Sequence, residues 1–451
     1  YQPLLLDGLA EKPLASITEL LYRIFHEPFL AGIFAWTNYL RFPAVTDFSM
    51  QSMLGFWLLV AFSFIISYTI LTKLLSDHGQ KSITIKANSH SDLVINESTF
   101  IKQVVSIGGL SLLLAGWPYW ITGLRIELQY PFDRFTLAFM MGSAMLMTGL
   151  IAWLFRTRFQ KIVILSLLIS MAVGENFLTA NTYRREWLTH NDFFNQLTWR
   201  IPALEPGTLV LTEGLPIKYY SDNSLTGPLN LVYAPENKSL DLDYYFAFLD
   251  VRVGRSIPEV KKGLEIKQEF RNASFTGSTD NVVVLFYSPP GCLRVLDPTR
   301  DTNLEIMPGE LLNAVHLSNL DRIITDQNQQ VRLPEGIFGK QAEHQNWCYY
   351  FEKADLARQV GDWQTALELT DEAYAQSLYP QEPTEVLLVA EANAMTGNIN
   401  RAVKLLTESG KRNPQYHGLF CETIDRFEFA LNGELSDNEK SEISTLREKL
   451  I

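Results

Sequence analysis

What this chain lacks narrows it first. It has three cysteines, Cys292, Cys348 and Cys421, and no CxxC pair, so spacing supplies no thiolate metal site. Positive charge is scarce: 38 Lys and Arg against 50 Asp and Glu give a net charge of -12. Nucleic-acid binding depends on cationic side chains that neutralise phosphates, so no nucleic-acid partner is expected. The phosphate loops GxxxxGK[ST] and GxGxxG, the zinc motif HExxH and the nucleophile elbow GxSxG are missing. The 7 histidines are scattered without ligand spacing, so no metal is expected and the cofactor is unknown. The chain opens at Tyr1 with neither an initiator Met nor a charged-then-apolar leader, which leads us to expect an upstream segment.

Charge is also absent from long stretches between Leu54 and Leu178. Leu54 to Leu71, Val104 to Leu124 and Phe135 to Phe155 contain none, and each reaches the roughly 18–20 residues a helix needs to cross hydrocarbon. A fourth run, Ile162 to Val173, is shorter before Gly174-Glu175-Asn176 and resumes at Phe177-Leu178. Backbone polar groups find no partner in lipid, so these runs are predicted to be helices. The expected fold class is therefore a four-span membrane α-helical bundle over 53–180. Mean hydropathy is only +0.01, so a polar, acidic remainder balances this apolar block.

Lys and Arg near the span ends predict the orientation. Lys73, Lys81, Lys86 and Lys102 follow the first span, and Arg156, Arg158 and Lys161 follow the third. The other side carries Arg125, Arg134, Arg184 and Arg185. The first side is expected to be cytoplasmic, which places the large C-terminal part outside a cell membrane. Trp117, Tyr119, Trp120 and Tyr130 are expected at the outer interface. Residues 1–52 are expected to form an interfacial or re-entrant helix pair, interrupted by Arg23, His26, Glu27 and Pro28, with Trp36, Tyr39 and Arg41 at headgroup level. The 76–99 loop, with His78, His90 and a β-rich patch Ser82 to Ile85, is expected to be solvated.

Glu186 to Trp199 reads as an amphipathic helix on the membrane surface. Short β runs follow at Thr208 to Leu211, Leu229 to Tyr233, Tyr244 to Val251, Glu265 to Phe270 and Asn281 to Tyr287, punctuated by Pro and Gly. With helical intervals at Ser256 to Leu264 and Gly309 to Ile324, they predict an extracytoplasmic α/β domain over 185–340. For Cys292 and Cys348, a disulfide and two buried free thiols are both compatible with the sequence; Cys421 reads as a small core residue.

The segment 345–451 is helical. Ala354, Ala366 and Ala373, then Ala390 and Ala402, repeat small residues around the turns Gly361-Asp362-Trp363 and Gly397-Asn398, with Pro414 closing the second unit. This register resembles the tetratricopeptide repeat over about 349–415, although Ser409 stands where a third Ala is expected. The resemblance implies two helical hairpins that contact a protein partner or brace the α/β domain.

Three groups are candidate ligand sites. Asp133 and Arg134 with Arg125 lie at the mouth of the apolar block, where ionised groups are costly and could hold a lipid phosphate; a helix-terminal ion pair would place them there equally well. Glu213, Lys218, Asp222 and Asn223 follow a predicted strand, where α/β domains place ligand groups, though a polar turn has the same composition. Glu175 lies in the last span. The order of spans and outer domain resembles multi-pass glycosyltransferases of the GT-C type, which implies a lipid-linked sugar donor and a catalytic acid upstream of Tyr1. An envelope scaffold that binds other envelope proteins is the competing class. Either way the lipid bilayer is an expected partner.

Overall fold

The computed structural model describes residues 12–40, 42, 48–77, 97–130, 132–304, 306–326, 330–339, 346–431 and 433–450. His78, His90, the patch Ser82 to Ile85, Arg41 and His344 lie outside the described residues. The chain divides into two compact units, Tyr1–Arg185 and Glu186–Ile451.

The first unit is helical. It contains α1 (Pro13–Phe29), α2 (Met50–Asp77), α3 (Glu97–Thr122), α4 (Met140–Leu154) and the first part of α5 (Arg158–Arg200). Among the described residues, four helices are long and apolar enough to cross a membrane: Met50–Leu74, Ser98–Thr122, Asp133–Leu154 and Arg158–Arg200. The third of these starts with 3-10 turns over Asp133–Phe139. Close packing of α3 on α4 depends on glycine. A Cβ added at Gly142 would lie 2.9 Å from the Leu112 backbone nitrogen and 3.0 Å from the Gly108 carbonyl oxygen, so the two backbones meet with no side chain between them. On α2 and α5, Phe56, Val60, Met171 and Leu178 make a second small core.

The N-terminal stretch differs from the expected helix pair. α1 runs on without a break through a π turn, Leu30–Phe34, into a further turn, Ala35–Asn38. Pro28 lies inside the helix, where its ring removes a backbone donor, and the widened turn follows directly. The fourth apolar run also continues further than its composition suggests. Gly174-Glu175-Asn176 does not end it, because helix α5 stays unbroken to Arg200.

That continuation overturns the surface-helix expectation for Glu186 to Trp199. Phe193, Phe194 and Leu197 are fully buried in the core of the second unit. A helix face of that size is equally amphipathic whether it meets lipid or a sheet, and here it covers a sheet. The sheet has the order β3-β2-β6-β7, built from β2 (Thr208–Thr212), β3 (Tyr244–Phe248), β6 (Val282–Phe286) and β7 (Arg294–Val295). β2 pairs parallel with β3 and β6, and β6 pairs antiparallel with β7. Alternation splits the side chains: Val210, Phe246 and Val283 face the α5 layer, whereas Leu209, Tyr245 and Val284 face the opposite core. Both faces are covered, so the centre of β2 (Leu209 to Leu211) and all of β6 are apolar without a break.

Two smaller β pairs complete the layer: β1 (Ala203–Leu204) with β8 (Ile323–Ile324), and β4 (Glu265–Phe270) with β5 (Ala273–Ser278). Leu229 to Tyr233, expected as a strand, belongs instead to helix α6 (Asp222–Tyr233). Ser221 caps that helix by accepting a hydrogen bond from the Ser224 N–H, and this cap outweighs the β preference of the last turn. Ser256 to Leu264 forms bends and turns rather than a helix, and Gly309 to Ile324 holds only the short helix α7 (Gly309–Ala314), 3-10 turns and β8. Strand β3 ends at Phe248, and Leu249–Arg252 is a single helical turn.

Three helical hairpins close the unit: α8 (Trp347–Gln359) with α9 (Trp363–Ala375), α10 (Val386–Met395) with α11 (Ile399–Arg412), and α12 (His417–Ala430) with α13 (Asp437–Leu450). Gly361 and Gly397 turn the first two hairpins at φ +78 and +85, where a Cβ would be strained. Ala354, Ala366, Ala373, Ala390 and Ala402 are fully buried between the helices. Leu387, Tyr416 and Leu419 pack into the core under the sheet, so the hairpins and the α/β layer share one hydrophobic interior. Cys421 is a half-buried free thiol.

Cys292 and Cys348 form a disulfide that joins the β6–β7 connection to the start of α8 across 56 residues. Closing a loop of that length restrains the unfolded chain, and removing the bond by Cys292→Ala with Cys348→Ala is expected to lower stability by about 2–4 kcal/mol. Thermal unfolding of the double variant measures this, and an unchanged midpoint would refute it.

Candidate functional site

The most site-like feature of the first unit was treated in the sequence as an interruption. Arg23 and Glu27 stand four residues apart on one face of α1, where side chains meet. The Arg23 Nε donates to Glu27 at 2.9 Å, and a second Arg23 nitrogen donates to the Leu124 carbonyl. Glu27, 5% exposed, also accepts a 2.7 Å hydrogen bond from the Trp120 indole. Trp120 is therefore buried and committed to a carboxylate. About two turns beyond Pro28, the Trp36 indole donates to Ser143 at 2.7 Å, and Ser143 donates to the Gly32 carbonyl at 3.0 Å. These side-chain bonds tie α1 and its continuation to α3 and α4.

Beside this network lies a cleft of about 570 Å³ whose wall includes Glu19, Tyr22, Arg23, His26, Glu27 and Arg125. Arg125 is exposed at the rim next to Glu127, and among the described residues it makes no hydrogen bond or ion pair. The pair Arg23–Glu27 leaves Arg125 as the unpaired guanidinium of the wall, beside the carboxylates Glu19 and Glu127. A guanidinium at the rim can hold a phosphate oxygen through parallel donors.

The expected partners of Arg125 are elsewhere. Asp133 accepts from the backbone N–H of Arg134 at 2.9 Å, and the Arg134 guanidinium sits 5.1 Å from the centre of the Phe135 ring. Both are exposed, and neither belongs to the cleft wall.

In the second unit, Glu213 and Asp222 do not form one site. Asp222 is buried at the start of α6, ion-paired with Arg252 and approached by the Tyr245 hydroxyl at 3.4 Å. Burial raises the Tyr245 hydroxyl to a pKa of about 12, so it acts as a donor. Glu213 follows β2, and its Oε2 is buried without a hydrogen-bond partner among the described residues. Burial and then the Glu310 carboxylate push its pKa up. Lys218 uses its backbone N–H to reach Glu186 at 2.5 Å, and Asn223 donates its N–H to Asp222 at 2.9 Å. Among the described residues no three His, Cys, Asp or Glu side chains gather as a metal site.

The denser polar cluster of this unit was not singled out from the sequence. Arg200, fully buried near the end of α5, donates from Nε to Asp355 at 2.7 Å and from Nη1 to Gln359 at 2.8 Å. Asp355 also pairs with Arg358 at 2.7 Å. Glu385 accepts from the Cys292 N–H and the Trp347 indole, each at 2.7 Å. Arg200 lies 155 residues from Asp355, and Cys292 lies 93 from Glu385, so spacing held no signal for these pairs; of this cluster only Asp355 and Arg358, three apart on α8, were legible that way. The Arg23–Glu27 spacing did hold one.

No family model, curated protein or solved structure matches this chain. The class that fold and site define is a protein with four helices able to span a membrane and a second unit made of a small parallel-sheet layer and helical hairpins.

Proposed function

We propose that this chain is an integral membrane protein of the glycosyltransferase-like, GT-C type, and that its cleft receives the phosphate headgroup of a lipid-linked sugar. The observation that carries the reading is the uncommitted Arg125 at the rim of a cleft whose inner wall is an immobilised Arg23–Glu27–Trp120 network. Ionised groups among apolar helices are costly to keep, and pairing them this closely is a common mark of a substrate path. Guanidinium matches a phosphate through parallel donors, while the alkyl tail of such a lipid would lie in the bilayer.

The second unit is proposed to lie outside the cytoplasm. The Cys292–Cys348 disulfide supports an oxidising compartment, as does the weaker Lys and Arg content of that side. We also read the first two helical hairpins as tetratricopeptide-like. The ion pairs Arg294–Glu382 and Arg300–Glu391 join them to the α/β layer of the same chain, which supports a bracing role over a scaffold for other envelope proteins.

The test is binding of a polyprenyl-phosphate sugar to the purified protein in detergent. Wild type is expected to bind, and Arg125→Ala is expected to bind roughly 10- to 100-fold more weakly, the loss of a charge-assisted contact. Arg134→Ala should match wild type, because Arg134 is committed to Phe135 and lies off the cleft wall. Equal binding by wild type and Arg125→Ala, or no binding by either, would reject the site.

A further inference from the structure

Inside the second unit is a partly open pocket of about 60 Å³ between the hairpins and the sheet layer. One water needs about 10–15 Å³ on this measure, so the space is several waters large. Four guanidinium groups line it, from Arg294, Arg300, Arg358 and Arg426, together with Asp301 and Asp355.

The arginines are unequally satisfied. Arg294 bonds Glu382 and Thr384, and Arg358 bonds Asp355 with Asp297 further off. Asp355 in turn bridges Arg358 and Arg200, so its charge is matched. Arg300 and Arg426 share a single carboxylate, Glu391, which is 3% exposed. Arg300 holds it in a direct bond, which leaves Arg426 at 3.6 Å. The Arg426 Nε is buried and has no hydrogen-bond partner among the described residues, while its Nη2 donates to Thr423 at 2.8 Å.

Arg300 and Arg426 thus face one carboxylate between them, in a pocket that Asp301 and Asp355 also line. Two further acids lie near Arg426: Asp301, whose pKa burial raises, and Glu422. Burial and then the neighbouring Arg300 make the charge on Arg426 costly in turn. The Arg426 side chain is partly exposed, but its buried open donor is costly unless an anion or a further hydrogen bond completes it.

We infer that this pocket is a binding site for one small inorganic anion, held by Arg426 and Arg300 and completed by Arg294. The anion joins the sheet side, through Arg294 and Arg300, to the hairpin side, through Arg426. This role is independent of the membrane cleft and of any lipid-linked substrate.

The experiment follows the thermal midpoint of the purified full chain in detergent, read by tryptophan fluorescence. Sodium phosphate and sodium bromide are titrated separately against sodium gluconate at equal ionic strength, gluconate being too bulky for the cavity. A saturable rise with one of the two anions is expected, and the arms separate a tetrahedral oxyanion from a halide. In Arg426→Gln the half-saturating concentration should rise at least tenfold, and Arg426→Lys should recover part of the response. Superimposable curves for wild type and Arg426→Gln, or no anion-specific rise in wild type, would overturn the proposal in favour of water. Should Arg426→Gln fail to fold, anomalous scattering from bromide-soaked wild-type crystals decides. A peak within hydrogen-bond range of Arg426 supports the site, and bromide found only on surface side chains overturns it.

Discussion

Glu27→Ala is expected to destabilise the first unit by about 3–5 kcal/mol, because it leaves the Arg23 guanidinium buried without its carboxylate. The same change strips the acceptor from the Trp120 indole, which is 3% exposed and has no water to turn to. Glu27→Gln should fall between, since an amide oxygen still accepts from Trp120 but does not balance Arg23. Removing both charges with Arg23→Leu and Glu27→Leu should be milder than Glu27→Ala alone, as the cost lies in the orphaned charge more than in the lost attraction. Thermal unfolding in detergent, monitored by tryptophan fluorescence, compares these three variants with wild type and with the single variants Arg23→Leu and Glu27→Leu. A double variant as damaged as the sum of its singles would show that the pair is not coupled and would remove the inner wall on which the cleft depends.

The second large effect is expected at Asp355. Alanine there strands two guanidinium groups at once, Arg200 and Arg358, whose side chains are 0% and 7% exposed. A loss of about 3–5 kcal/mol is expected from breaking such a buried arrangement. The pH dependence checks the assignment. Burial alone would raise this carboxyl, but Arg358 and Arg200 hold it well below the ordinary aspartate range. A depressed folded pKa means its contribution is present above the unfolded value near 3.9 and disappears as pH falls through the folded value. The variant should therefore differ most from wild type near neutrality and converge with it in strong acid. Neighbouring Glu352 has the opposite sign. It is fully buried, neither oxygen has a partner among the described residues, and burial raises its pKa well above the usual range. Its contribution is complete below the unfolded value near 4.3 and is lost as pH rises toward the folded one. Glu352→Gln should gain on wild type as pH rises, whereas Asp355→Ala should fall further behind. Parallel pH curves for the two variants would refute both readings.

These expectations also show where sequence reading works and where it stops. The apolar runs were legible because hydrocarbon length and lack of charge are local properties. The parallel strands β2 and β6 were legible because the centre of β2 and all of β6, covered on both faces, are apolar without interruption. Leu229 to Tyr233 misled because a helix that packs against a sheet is as β-branched and aromatic as a strand, and only the Ser221 cap ahead of it signals otherwise. Glu186 to Trp199 misled for a related reason: amphipathicity shows that one face is covered, not by what. Arg125 was legible as a charge at a span end, but its companions in the cleft come from α1, about a hundred residues earlier.

By itself, then, the sequence determined four helices apolar enough for a bilayer, a sheet-forming middle and small-residue helical hairpins near the end, since each follows from periodicity within one or two dozen residues. Tertiary structure alone decided that Arg23 and Glu27 meet Trp120, that α5 runs unbroken into the sheet layer, and that Arg200, Arg300 and Arg426 find their carboxylates on hairpins far along the chain. The physical reason is that a buried charge must be completed by whatever the fold brings beside it, and that neighbour carries no mark in the local pattern.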